Sequence, residues 1–420
     1  MSTALDDCFL HDRDRMRHDE AIALLRDRLR GVTAHAQVAL DGAAGRVLAK
    51  DVVAPRPVPL HTNAAVDGYA FAHPAASGQV PVVATVRAGD LDPSPIPPGS
   101  AARIFTGAVL PPGTNTVAMQ EDCTADAGSV RLPELKQGAN RRLAGEDLAA
   151  GATVAAAGRI LGAGDIAALA SVGLATVPVR ERLRIAVLSN GDELREPGED
   201  ELRPGEVFDS NRPMLRSLLR APAFDIVMDR HVPDQAGAVR LALEEAAAAS
   251  DVVIASGGAS RGDEDHMAAA LETLGRRHMW QLAVKPGRPM MFGQIDRPDG
   301  GRGLFFGLPG NPVAAFVCFV LYVRPSLHAL AGAQWPQITA LPVPAGFRIE
   351  RKKPDRREFL RGWLATDADG RTVARRFARD GSGLISSLTA ATGLISIAEN
   401  TTSVAEGDPV LFLPFTGLLG

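Results

Sequence analysis

The sequence predicts a multidomain α/β and β protein: a doubly wound three-layer α/β domain, a mixed N-terminal domain, an inserted β-rich domain and a C-terminal small β-barrel. Three observations carry this. From Arg184 onward, strand-like and helix-like runs alternate, as in a parallel sheet covered on both faces by right-handed crossovers. From Pro81 to Asp122 the signals are β throughout, with Gly and Pro punctuation. The last stretch, about 90 residues, returns to short strands with Asp-Gly and Gly-Asp turns. A chain of 420 residues exceeds one ordinary core, so two to four domains are expected. The bounds read as 1–50 with 148–181, 51–147, 182–331 and 332–420.

In chain order, AIALLRDRL within Met1–Arg30 has helical spacing, and a strand-like passage follows over Gln37–Val53. In HTNAAVDGYAFA the Asp67-Gly68 pair reads as a hairpin turn. Phe105-Thr106-Gly107 ends a strand, where a threonine caps either an anion or its own turn. Arg141 and Arg142 precede Gly145-Glu146-Asp147 at a turn, and Gly164–Val172 is a short helix. Beyond Arg184, IAVLSNGDEL is strand then loop, SNRPMLRSLLRA a helix led by Ser210 and Asn211, FDIVMDRHV a strand, and a helix starts at Asp234.

The stretch Asp251–Phe316 then offers three apolar runs that each empty into unusual loops: DVVIASGGASRGDEDH, LAVKPGRPMMFG and GLFFGLPGNPVAAF. Strands of an open sheet leave toward a ligand crevice at their carboxyl ends, so the three exits are expected to meet at one. Gly257 and Gly258 admit bare amides to an anion, while Lys285 and Arg288 bring cations. Asp263, Glu264 and Asp265 sit at a helix start, where they cap the dipole or hold a hard metal; Asp192, Glu193 and Asp209 leave neighbouring elements at the same edge. Such a mixture fits a polyphosphate with Mg²⁺. Each piece alone has a plainer reading as turn, cap or solvated charge.

Composition narrows the classes. Lys plus Arg number 45 against 49 Asp plus Glu, with aromatics at 5%, so no basic stripe with stacking rings points to nucleic acid. The cysteines Cys8, Cys123 and Cys318 are odd in number and far apart, which argues against a disulfide framework and suits a cytoplasmic location. The charged first 20 residues are unlike a secretory signal. The apolar run Val313–Val323 is shorter than the roughly 20 residues that span a bilayer, and with Asn-Pro before it reads as a buried helix, so no membrane partner is expected.

The motifs AVDGYAF, RIFTGAVLPPGTNTVAMQED, RRLAGEDL, SNGDEL, SGGASRGDEDH, KPGRP, GLPGNPVAAF and RREFLRG, in that order, strongly resemble the molybdopterin molybdenumtransferase family, that of bacterial MoeA and the gephyrin E-domain. The resemblance implies a molybdopterin-binding α/β domain and a reaction in which adenylylated molybdopterin and molybdate give the molybdenum cofactor and AMP, assisted by Mg²⁺. It implies oxyanion binding by Lys285, Arg288 and Ser260 with Arg356, Arg361 and Ser382 from the last domain, and a pterin wall at Pro309 and Pro312. It gives acidic roles to Asp265, Asp251, Glu193 and Asp192, with metal binding by Asp265, Asp192 and Glu193, and functional roles to Asp67, Thr106 and Asp147. It also implies a homodimer whose first modules complete the other subunit's cleft, and as further partners a molybdopterin adenylyltransferase and molybdoenzyme acceptors. Departures from the family pattern fall at Arg288, where lysine is common, at Ala259, Arg261 and Asn115, and at the reduced Gly381-Ser382-Gly383 loop. The adenylyltransferase itself shares the SGG and PGNP loops but lacks the flanking modules, and a gephyrin-like scaffold would not need the crevice charges.

Overall fold

A computed structural model of the chain describes residues 15–199, 201–257, 266–287 and 289–419. Its middle is a six-stranded sheet in the order Phe224–Val232, Leu183–Asn190, Val252–Ser256, Arg302–Leu308, Pro289–Asp296, Gly275–Gln281. Side chains along the inner strands go alternately to two cores. Ile185, Val187, Val252 and Ile254 pack on one face, and Ala186, Leu188, Val253 and Ala255 on the other. A strand buried on both faces must be apolar throughout, which is why IAVL and VVIA are continuous runs.

The sheet corrects two expectations. It is mixed: the first four strands are parallel, whereas Pro289–Asp296 and Gly275–Gln281 run antiparallel to their neighbours. A hairpin through the short loop 297–301 permits only antiparallel pairing. The LAVK run is also not an exit of this sheet. Val284 and Lys285 pair in parallel with Arg357 and Glu358 of the C-terminal sheet.

Helices Asn211–Leu218, Ala236–Ala249, His266–Leu274 and the long helix Pro312–Leu330 cover the sheet. The last runs as α-helix to Cys318, as π-helix over Phe319–Val323, and as α-helix again from Arg324. Pro325 explains the irregular turn, because it has no N–H for Leu321 and its ring crowds that carbonyl. The helix has 19 residues at mean hydropathy 1.7, enough to cross a membrane by length and composition, but 94% of its apolar window is buried inside the protein.

The helix His18–Arg28 lies against this long helix, with His18 Nδ1 2.8 Å from the Tyr322 hydroxyl. Arg357 of the C-terminal sheet grips Asp19 at 2.9 Å, so the same helix also ties that sheet down. His35–Ala39 pairs with Thr176–Arg180, and Val52–Val53 with Thr153–Ala155, around a small core that includes Leu169 of helix Ala163–Ser171. Between these, the chain builds a sheet in the order Thr116–Met119, Gly68–Phe71, Ala101–Ile104, Gly78–Val86, Ser129–Leu132, Thr124–Asp126. Gly68 starts a strand here rather than closing a hairpin turn. A Cβ on it would stand 1.8 Å from the Ala118 carbonyl oxygen, so only glycine lets the strands meet.

The C-terminal sheet runs Val284–Lys285, Arg357–Thr366, Gly393–Ile397, Pro409–Pro414, Leu341–Pro344, with Thr372–Arg376 beside Arg357–Thr366. A bridge between Ala345 and Ala374 joins the Leu341–Pro344 end of that path to Thr372–Arg376.

Candidate functional site

The site forms where strand order reverses, between Leu183–Asn190 and Val252–Ser256, the place at which open α/β sheets hold ligands. Gly257 leaves its strand at φ 89°, and a Cβ there would be 2.3 Å from the Asn190 carbonyl oxygen, so glycine is required by both conformation and space. Asn211, nearly buried at the head of its helix, donates from Nδ2 to Ser256 Oγ and to the Gly310 carbonyl, both at 2.7 Å. One amide thereby ties together the loops after two parallel strands.

Beyond these loops lie two cavities. The first, of about 280 Å³, is lined by Lys285, Arg356, Arg361 and Ser382, with Pro309, Asn311 and Asp380. Lys285 Nζ lies 3.4 Å from Glu358 Oε2. Arg361 is 5% exposed; its Nε donates to Ser387 Oγ at 3.0 Å and its Nη2 to the Gly381 carbonyl at 3.2 Å. Burial lowers its pKa from the ordinary guanidinium value, yet arginine stays charged in proteins. Arg356 Nε is buried without a hydrogen-bond partner, and its nearest counter-charge is the Asp355 carboxylate at 3.6 Å. The Ser382 carbonyl accepts the Val313 N–H at 3.0 Å and so pins its loop to the start of the long helix.

The second cavity, of about 600 Å³, is lined by Glu193, Asp209, Asn211, Asn311 and Pro312, and by the apolar Val207, Phe208 and Ile385. Asn311 belongs to both walls. Asp209 is 3% exposed and held by Arg212 Nε at 3.2 Å, which leaves Glu193 as the exposed carboxylate of this space. The cations therefore gather at the first cavity, with Asp380 among them, whereas the second is lined by carboxylates and, among the described residues, by no lysine or arginine.

The structure thus brings together Lys285, Arg356, Arg361, Ser382 and Pro309 in one cavity and Glu193 and Pro312 in its neighbour, with Gly257 at the head of the strand between. Asp192 turns away: its carboxylate accepts the Asp234 N–H at 2.8 Å. Asp251 stands apart from the others. It precedes the strand Val252–Ser256 and so stands at the amino edge of the sheet, opposite the crevice, paired with Arg184 at 2.8 Å and Arg297 at 3.4 Å. Gly258, Ser260, Asp265 and Arg288 lie outside the described residues. Among the described residues, no group of three or more His, Cys, Asp or Glu gathers as a metal site.

Asp67, Thr106 and Asp147 line neither cavity. Asp67 and Thr106 do form a unit: the Thr106 amide and hydroxyl donate to Asp67 Oδ1 at 2.8 and 2.7 Å. These two bonds, with Arg103 nearby, hold the Asp67 carboxyl below the usual range. Arg103 is sandwiched by the Tyr69 and Phe105 rings at 5.1 and 5.0 Å. Asp147 is exposed, its amide on the Val58 carbonyl at 3.1 Å.

Sequence reasoning missed Asn211, Asn311 and Glu358. The first two stood in helix-start motifs and read as caps; only the packing of three loops shows that they face the crevice.

Comparison with known proteins gives the family. The chain matches the MoeA N-terminal region (domain I and II) over residues 16–173, the probable molybdopterin binding domain over 186–329, and the MoeA C-terminal region (domain IV) over 343–415. It is similar to a Haemophilus influenzae protein named molybdopterin molybdenumtransferase, 34% identical over 96% of this chain and 99% of that one. It is similar also to molybdopterin molybdenumtransferase 2 of Mycobacterium tuberculosis, 31% identical over 94% and 98%. Among solved structures, the molybdopterin biosynthesis moeA protein of Pyrococcus horikoshii superposes with a TM-score of 0.80 at 27% identity, over 95% of this chain and all of that one.

Proposed function

We propose, since this chain belongs to the molybdopterin molybdenumtransferase (MoeA) family, that its two cavities divide the work of one reaction. It is an enzyme of molybdenum cofactor biosynthesis that inserts molybdenum. The substrates in this reading are adenylylated molybdopterin and molybdate. The two sulfurs of the pterin dithiolene replace two oxo groups of molybdate, which leave as water, the phosphoanhydride to adenylate is cleaved by water, and AMP leaves.

The observation that carries the reading is the meeting of Lys285 with Arg356, Arg361 and Ser382, from different stretches of chain, in one cavity. A flat guanidinium fork and a compact ammonium are the donors that a tetrahedral oxyanion or a phosphate needs. Arg361 is locked by Ser387 and the Gly381 carbonyl, so little ordering cost remains when the anion arrives. Gly257, with Gly258 and Ser260 beyond it, offers amides and a hydroxyl to the phosphates, and Arg288 adds charge. Pro309 and Pro312 shape the walls.

Mg²⁺ keeps several waters and binds through one or two carboxylates plus substrate phosphates, so in this reading Asp265, one of the acids the family resemblance names, serves it alone; the exposed Glu193 is left for the organic part of the substrate, and Asp192, already on an amide, is a poorer ligand. When bound, the ion neutralises phosphate charge at the bond that breaks. Asp251 supports the sheet edge rather than the reaction in this reading.

Asp67, Thr106 and Asp147 serve the cleft of a second subunit, which makes the protein a homodimer. Thr106 and Asp147 are exposed and Asp67 half-buried, all three away from both cavities, which supports this. The C-terminal sheet is read as a small barrel closed at Ala345–Ala374, the 51–147 segment as an insertion into the N-terminal unit, and the protein as cytoplasmic, handing on to molybdoenzymes and taking substrate from an adenylyltransferase. The test is direct. Purified protein given adenylylated molybdopterin, molybdate and Mg²⁺ releases AMP; no release ends the catalytic reading.

A further inference from the structure

Three apolar side chains stand open at the second cavity: Val207, Phe208 and Ile385 are 49%, 41% and 45% exposed. Among the described residues, no lysine or arginine lines that space, so it is no second anion site. An open apolar surface beside a few polar groups, in a space of about 600 Å³, is what a small organic ligand occupies.

Among the described residues Phe208 is the one aromatic ring there, and its backbone is fixed by the residues on both sides. Val207–Phe208 pairs in parallel with Leu194–Arg195. The Val207 amide donates to the Glu193 carbonyl and the Asp209 amide to the Arg195 carbonyl, both at 2.8 Å. Asp209 is buried against Arg212, which also reaches Asp229 at 3.0 Å. A ring on such a rigid segment gives up little freedom when a planar partner lies on it.

We propose that Phe208 is the stacking platform for a planar nitrogen heterocycle of the substrate, and that this ring is the pterin; the inference rests on the functional reading above and deepens it. The nearby carboxylate chooses between the two rings of an adenylylated pterin. A pterin carries its amino group beside a ring N–H, two parallel donors that match both oxygens of a carboxylate such as Glu193, whereas adenine sets a donor beside an acceptor. The first cavity then receives the oxyanion while the second holds the ring that carries it.

The test is equilibrium titration of the full-length chain with a fluorescent pterin and, separately, with AMP, comparing Phe208→Ala, Phe208→Leu and Phe208→Tyr with the parent. Pterin affinity is expected to fall about tenfold in the Ala and Leu variants and to be retained by Tyr, with AMP affinity unchanged. Loss of AMP affinity alone gives the platform to adenine and overturns the proposal. Leu binding pterin as well as the parent, or all variants binding both probes equally, overturns the proposal while leaving the functional reading intact. Loss of dimer with ligand affinity unchanged gives the patch to a second copy and also overturns it. A parent chain that binds neither probe sinks the functional reading instead, and the inference falls with it.

Discussion

Lys285 and Glu358 are partners twice over: their backbones face each other across a parallel ladder, and Lys285 Nζ stands 3.4 Å from the Glu358 carboxylate. In the absence of substrate this carboxylate competes with any anion for the ammonium. Lys285→Ala is therefore expected to raise the molybdate concentration for half-maximal AMP release by about tenfold to a hundredfold, the range of a lost charged hydrogen bond. Glu358→Gln, which removes the competitor, shifts it the other way. Equal shifts of one sign in steady-state assays would contradict the oxyanion role of Lys285.

The Asp67 carboxyl is held low by the Thr106 amide first and the Thr106 hydroxyl second. Thr106→Val deletes only the hydroxyl, so the Asp67 midpoint rises toward that of an ordinary aspartate without reaching it. Carbon-detected NMR titration of the carboxyl measures this, and an unmoved midpoint would show that the hydroxyl contributes nothing.

Arg212 is 8% exposed at its side chain and serves Asp209, Asp229 and Glu196 together. Removing it leaves Asp209 buried without its counter-charge, so Arg212→Ala is expected to cost about 3–5 kcal/mol in urea unfolding. Arg240→Ala, which breaks the exposed i,i+4 pair with Glu244, costs below about 0.5 kcal/mol. Similar losses for the two variants would refute the assignment.

Burial holds both His18 and His328 down at about 4. The Tyr322 phenol is pushed well above its usual value by burial, so it keeps its proton and shares a hydrogen bond with a neutral His18 Nδ1. Between pH 6.5 and about 4 the unfolded chain takes up protons that the folded imidazoles refuse, so stability is full above that window and falls as pH is lowered through it. The difference in urea midpoint between pH 7 and pH 5 should shrink in the double variant His18→Asn, His328→Asn. A difference as large as in the parent would place the titration elsewhere.

Most of the middle sheet was legible because strands buried on two faces and helices buried on one leave different periods in the sequence, as IAVL and VVIA show against RLALEEAAAA. What periodicity cannot encode is the partner of a strand. Val284–Lys285 looks like any exit strand and pairs elsewhere. Direction, by contrast, was available: Asp251 comes before its strand, which already puts it at the amino edge. The cationic residues Arg356 and Arg361 were found through a motif; no pattern in the chain announces that a distant sheet brings them beside Lys285.

Because Lys285 rides on a rail supplied by Arg357–Thr366, the cation and the C-terminal sheet are not separable parts. A chimera spliced in the linker after the long helix would mount one parent's lysine on the other parent's strand. Where the ammonium stands would then follow how well those two segments fit, and residue-by-residue identity inside the cavity would not restore it.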